Sequence, residues 1–157
     1  MTPNFIGRNF VGLSFRMKLK NLEKQKYKIL LVLFSLALIS FAILVFNDLK
    51  PLPLICDVTE GCFVVQNSPY STTLGIENEY YGFVFFSLLI FLAISQIRNP
   101  KENKKNLIHA GVIITTIWAA YSFYLMGFVI KAYCKYCTVV DIAALISLLI
   151  IILFWKK

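Results

Sequence analysis

Charge is scarce in this chain of 157 residues: Asp, Glu, Lys and Arg together make up 15%, against 59% hydrophobic residues. A soluble domain carries roughly 25% charged residues, so an ordinary water-soluble domain is excluded and an integral membrane protein is indicated. Histidine is nearly absent, with His109 alone, which argues against a histidine-rich metal centre. No C-x-x-C-H haem attachment and no glycine-rich dinucleotide fingerprint occur, so the chain has no sequence basis for holding a haem or a nicotinamide of its own. Acids are few, eight against 16 bases, giving a net charge of +8. The bases flank apolar runs and are not interleaved with aromatics on a soluble face, so they read as topology signals and no nucleic-acid partner is expected. The length leaves no room for a second globular domain beside a small bundle.

What the chain has in abundance is long apolar runs. A helix needs about 20 residues to cross the hydrocarbon core, and four runs approach that length: 29–46, 80–97, 107–130 and 138–155. The expected fold is an all-α membrane protein, a four-transmembrane-helix bundle formed by residues 29–157. Residues 1–28 form a basic extension with little expected structure. Met17, followed by Lys-Leu-Lys, would also serve as a start, which would make residues 1–16 dispensable. A cleavable signal is disfavoured, because the first apolar run is long and lacks a small-x-small site. Thirteen of the 16 Lys and Arg residues fall on one side of this topology, and only Lys50, Lys131 and Lys135 on the other. The positive-inside bias therefore puts both termini in the cytoplasm. The cysteine-bearing loop 47–79 and the Cys134–Cys137 turn then lie outside.

Only four cysteines are present, and they form two close pairs, Cys56 with Cys62 and Cys134 with Cys137. Disulfides persist on the non-cytosolic side, where both pairs are expected. The C-x-x-C lies where a basic turn meets the last span, and the positive end of a helix starting there favours thiolate. Asp57 and Glu60 between the loop cysteines disfavour it, so the two pairs are chemically unequal. Two such pairs at one end of a bundle could pass a disulfide between them. The competing readings are a zinc site, a metal-handling protein that uses the cysteines as soft ligands, and two inert stabilising disulfides. The electrons need an acceptor, and a lipid-soluble quinone between the helices is the one a membrane bundle can reach; Cys137 would face it and Cys134 the loop pair. Asp141, one turn after Cys137, is the acid embedded in a span. It is either a functional group or a polar residue facing interfacial water. His109 and the aromatics Trp118, Tyr121 and Tyr124 of the third run have the bland reading of interfacial or packing side chains.

The order of an apolar span, Cys56-Asp57-(x)4-Cys62, Ser68, Gly75-Ile76-Glu77-Asn78 with Gly82, and Cys134-x-x-Cys137 resembles the vitamin K epoxide reductase family in its bacterial form, over nearly the whole chain after the basic extension. In DsbB-type oxidases the two kinds of pair occur in the reverse order. The resemblance implies an oxidoreductase in a bacterial inner membrane that oxidises a separate thioredoxin-fold (DsbA-like) periplasmic protein. It implies a quinone of ubiquinone or menaquinone type as acceptor, and so a role in forming disulfides in exported proteins. It also implies that Cys134 and Cys137 are the active pair, that Cys56 and Cys62 are the shuttle pair, and that Ser68 and Asn78 line the quinone pocket. Asp141 stands where vertebrate members carry a quinone-bonding tyrosine, so vitamin K epoxide is not the expected substrate.

Overall fold

The computed structural model describes the backbone over residues 5–50 and 61–154, with side chains from Leu22 onward. Cys56 and its neighbours Asp57 and Glu60 lie outside the described residues. Helix α1 runs Phe5–Leu49, followed by a short α2 (Gly61–Gln66), a hairpin of β1 (Thr72–Thr73) and β2 (Ile76–Glu77), α3 (Asn78–Arg98), α4 (Glu102–Tyr124) and α5 (Lys135–Leu153). A π-helical turn, Leu125–Val129, continues α4. Among the described residues, four helices are long and apolar enough to cross a membrane: Leu22–Leu49, Asn78–Arg98, Glu102–Val129 and Lys135–Leu153. The shortest has 19 residues and rises roughly 28 Å, about the thickness of the hydrocarbon core.

Each helix begins before its apolar run, because polar residues continue a helix outside the lipid, and α1 and α3 also end beyond theirs. The basic extension, expected to have little structure, is helical from Phe5 and continuous with the first span. Helix α5 begins at Lys135, three residues before its apolar run, because Cys134 caps it.

The four long helices close into a ring in which α1 packs on α3 and α5, and α4 packs on α5 and α3. Their shared core is built from Leu30, Phe34 and Ala37 of α1, Phe86 and Ala93 of α3, and Val112 of α4, with α5 contributing Val140 and Ile151. Small residues bring helices close: a side chain on Gly111 would meet Leu89 Cδ2 at 2.6 Å, as expected where packing and not hydrophobic collapse joins helices in lipid. Outward-facing Val32, Phe91, Ile117 and Leu149 are exposed and suit contact with acyl chains.

The end of the bundle that carries the cysteines is capped by α2 and the hairpin. Thr72 pairs with Glu77 and Thr73 with Ile76. The two residues between the strands, Leu74 (φ 55°) and Gly75 (φ 81°), are both left-handed, the turn geometry that suits a two-residue hairpin. At the opposite end His109 is not the interfacial side chain expected from its position. It is buried, with Nε2 3.2 Å from the buried Lys26 Nζ, so this pair ties α1 to α4 inside the bundle.

Candidate redox site

The C-x-x-C sits at the start of a helix, and that placement decides its chemistry. Cys134 is the N-cap of α5, and its Sγ accepts from the Cys137 backbone N–H at 3.3 Å. The two sulfurs are 2.8 Å apart and both cysteines are free. The hydrogen bond from the Cys137 thiol, helped by backbone N–H groups of Cys137 and Tyr136 and opposed by burial, holds the Cys134 thiol below the usual cysteine range. A thiolate at Cys134 is thus stabilised by the same orphan amides that begin the helix.

Cys62 is disulfide-bonded, and it lies in one buried cluster with Cys134, Leu44 and Met126. Gly61, just before it, lies so close to the backbone of Tyr133 that a Cβ there would be 2.8 Å from Tyr133 N. The start of α2 and the segment leading into the C-x-x-C therefore touch backbone to backbone, and only a glycine permits that approach. Two cysteines 72 positions apart in sequence are brought together while one is oxidised and the other reduced.

A cavity of about 390 Å³ opens beside the pair. Cys137, Ser68, Asn78 and Asp141 all line it, with walls that include Phe41, Phe85, Phe86 and Trp118. Asp141 is 4% exposed and its Oδ2 has no hydrogen-bond partner, while Ser122 of α4 hydrogen-bonds the carboxyl. Asp141 is therefore buried on the cavity wall. Ser68 and Asn78 are largely committed elsewhere. Ser68 Oγ donates to Val65 O at 2.7 Å. Asn78 donates to Tyr70 O at 2.9 Å and accepts from Thr73 Oγ1 at 2.7 Å, which leaves its second amide N–H outside these bonds. Trp118 and Tyr121 meet edge to face at 6.0 Å on the cavity wall, which agrees with a packing role for these aromatics.

Two polar residues on the wall escape a reading of the sequence. Glu79 is 6% exposed and lines the cavity, so Asp141 is not the one buried acid of the spans. In sequence Glu79 looks like an ordinary acid complementing the first turn of a helix. Gln66 donates from Nε2 to Glu79 Oε1 at 2.8 Å and accepts from Asn47 Nδ2 at 3.1 Å, and its Oε1 is 4.0 Å from Cys62 Sγ. The only sequence signal for it is the i, i+4 spacing from Cys62. Among the described residues no three His, Cys, Asp or Glu side chains converge as metal ligands.

Comparison with curated proteins finds no match. The family model of the vitamin K epoxide reductase family matches residues 28–153, a span that takes in both cysteine pairs, the cavity and the apolar lengths of all four membrane helices. A reduced pair that caps a helix, set against an oxidised cysteine inside a helical membrane bundle, accords with that match, and the chain belongs to the vitamin K epoxide reductase family of membrane thiol–disulfide oxidoreductases.

Proposed function

We propose that this protein is a quinone-dependent oxidase of a thioredoxin-fold partner, and that it drives disulfide formation on the outer side of a bacterial inner membrane. The observation that carries the reading is the shared burial of Cys62 and Cys134, with Cys137 turned to the cavity. The sulfurs are thereby ordered from the loop inward.

In this reading a thiol of the reduced partner attacks the Cys56–Cys62 disulfide, and the partner's second thiol resolves the mixed disulfide, so the partner leaves with its own disulfide and the loop is left as a dithiol. Cys62 then attacks Cys134 of the oxidised C-x-x-C, and Cys56 resolves the mixed disulfide, releasing the reduced Cys134–Cys137 pair. Cys134 suits the role because the start of α5 stabilises its thiolate as a leaving group. Cys137, which faces the cavity, delivers the electrons there.

The cavity fits a quinone ring. Its volume falls within the roughly 300–1,000 Å³ of ligand pockets, its walls are mainly aromatic and aliphatic, and its unpartnered Asp141 Oδ2 offers a polar contact for a ring oxygen. A quinone held there supplies a sink for two electrons and two protons. Asn78, with its remaining N–H, and Asp141 would hold the ring by its oxygens, as preorganised polar groups do where negative charge develops, and Ser68 would line the mouth.

The test is Cys137→Ala. Quinone reduction should be lost while the loop pair still forms a mixed disulfide with a reduced thioredoxin-fold protein; turnover near the wild-type rate would sink the assignment. Replacing Cys134 should also cost cells the disulfides of their exported proteins.

A further inference from the structure

Glu79 has no part in the relay just described, yet its burial has to be accounted for. Removing a carboxylate from water is costly unless a partner compensates. No described Lys or Arg forms an ion pair with Glu79, and its amide donor from Gln66 is neutral. It stands on the cavity wall with Cys137 and the incompletely satisfied Asp141. Just outside is Glu77, half-buried at the end of β2 and hydrogen-bonded to Glu79. Burial, that hydrogen bond and the charges of Glu79 and Asp48 push the Glu77 carboxyl up to about 7. Beyond it Asp48 of α1 accepts from Tyr80 Oη at 2.8 Å. Hydrogen bonds thus link the carboxyls in series, buried Glu79 to half-buried Glu77 and Glu77 to exposed Asp48.

We infer that Glu79 is the proton-exchange group of the cavity, taking up a thiol proton when the Cys134–Cys137 pair is oxidised and connecting through Glu77 to the water at the rim. The inference rests on the reading above, in which that pair delivers electrons into the cavity. Closing the S–S bond releases two electrons and two protons. With a quinone as acceptor the sum is dithiol plus quinone giving disulfide plus quinol. Two protons leave the thiols and two must reach the quinone oxygens; Glu79 takes up a thiol proton and gives one back to the cavity, with Glu77 and the rim water exchanging any excess or shortfall, and it ends the cycle as it began. The titratable groups close enough to feel Glu79 are Glu77 from β2, its neighbour Tyr80, and Cys134 and Cys137 at the start of α5; Tyr121 and Asp141 share the cavity wall with it, and Asp48 of α1 bonds Glu77. None of these groups is a cation. A shared proton can move between carboxyls in such a line at little cost.

Three variants of the full chain in detergent test this: Glu79→Gln, Glu77→Gln and Gln66→Leu. The first readout needs no quinone. In the reduced protein the rate of Cys134 alkylation is followed against pH. The negative charge of Glu79 opposes the Cys134 thiolate, so Glu79→Gln should move the profile to lower pH, while Gln66→Leu, which keeps the carboxylate, should not. The second readout is reduction of a soluble benzoquinone. Glu79→Gln should lower kcat by roughly a hundredfold, the scale of a lost acid–base group, with KM little changed. Glu77→Gln, which interrupts the path to the rim, should also lower kcat, by a smaller factor, and should lose the wild-type inflection near pH 7, the region set by its carboxyl. An unmoved alkylation profile in Glu79→Gln, a wild-type kcat in that variant, or a Gln66→Leu variant that reproduces both of its changes would overturn the inference. A wild-type protein that reduces no quinone would instead sink the functional reading, and the alkylation comparison would still decide whether Glu79 acts on the thiol pair.

Discussion

Replacing Gly61 by alanine tests the contact on which the proposed electron transfer between the two cysteine pairs depends. An added Cβ would lie 2.8 Å from Tyr133 N and 3.0 Å from Tyr133 C, and nearer still to the carbonyl oxygen. These are backbone atoms, so no side-chain rotation relieves the clash; α2 or the segment before Cys134 must move by on the order of 1 Å. Overpacking of this kind costs about 1–3 kcal/mol. The kinetic effect should exceed the thermodynamic one. Thiol–disulfide exchange needs the attacking sulfur aligned on the S–S bond, and a misplacement of about 1 Å costs roughly a hundredfold in rate. The assay starts from a protein with a reduced loop and an oxidised C-x-x-C and follows the disulfide with a mass-tagged alkylator after rapid acid quench. Exchange in Gly61→Ala should slow by that factor, while a soluble dithiol still reduces the loop disulfide as in wild type. Gly111→Ala is the control. Its Cβ would meet only the movable end of Leu89, at 2.6 Å, and exchange should proceed at the wild-type rate. Wild-type exchange in Gly61→Ala would refute the claim that backbone contact at Tyr133 sets the approach of Cys62 to Cys134.

Three further outcomes follow from the same geometry. Asp141→Leu removes a buried carboxyl with an unpartnered oxygen, so thermal stability should rise by about 1–3 kcal/mol while quinone reduction falls; a loss of both would make Asp141 a structural residue. The Glu77 carboxyl is raised to about 7 in the folded protein, above an unfolded value of about 4.3. Between those limits the folded chain binds more protons than the unfolded chain, so this group makes stability fall as pH rises toward 7; Glu77→Gln should flatten that part of the curve in thermal melts. Lys26→Met breaks the buried contact with His109 and should lower stability by about 1–3 kcal/mol without altering cysteine exchange, because that pair lies at the opposite end of the bundle.

What is legible in the sequence is what depends on one segment at a time. Four spans can be read because each apolar run is nearly long enough to cross a bilayer by itself, and the C-x-x-C can be placed because it abuts the last of them. Ser68, Asn78 and Asp141, taken from separate stretches, do line one cavity with Cys137. The misreadings occur where a side chain's surroundings come from distant segments. His109 reads as interfacial until Lys26, 83 positions away, is found beside it. Glu79 reads as a helix-start acid until Gln66 reaches it from α2 and Glu77 from the hairpin. Neither Asn47, Gln66 nor Glu79 carries a motif, yet together they fasten the helix bearing Cys62 to α1 on one side and α3 on the other. A purely apolar clamp would hold α2 equally well and would not need a carboxylate removed from water. The position of Glu79, one hydrogen bond from Gln66 and on the wall that Cys137 shares, makes sense if one network both holds the shuttle cysteine and exchanges the protons of the reaction. A variant that separates the two, with the clamp kept by Glu79→Gln and the charge removed, is therefore the most informative single change in the chain.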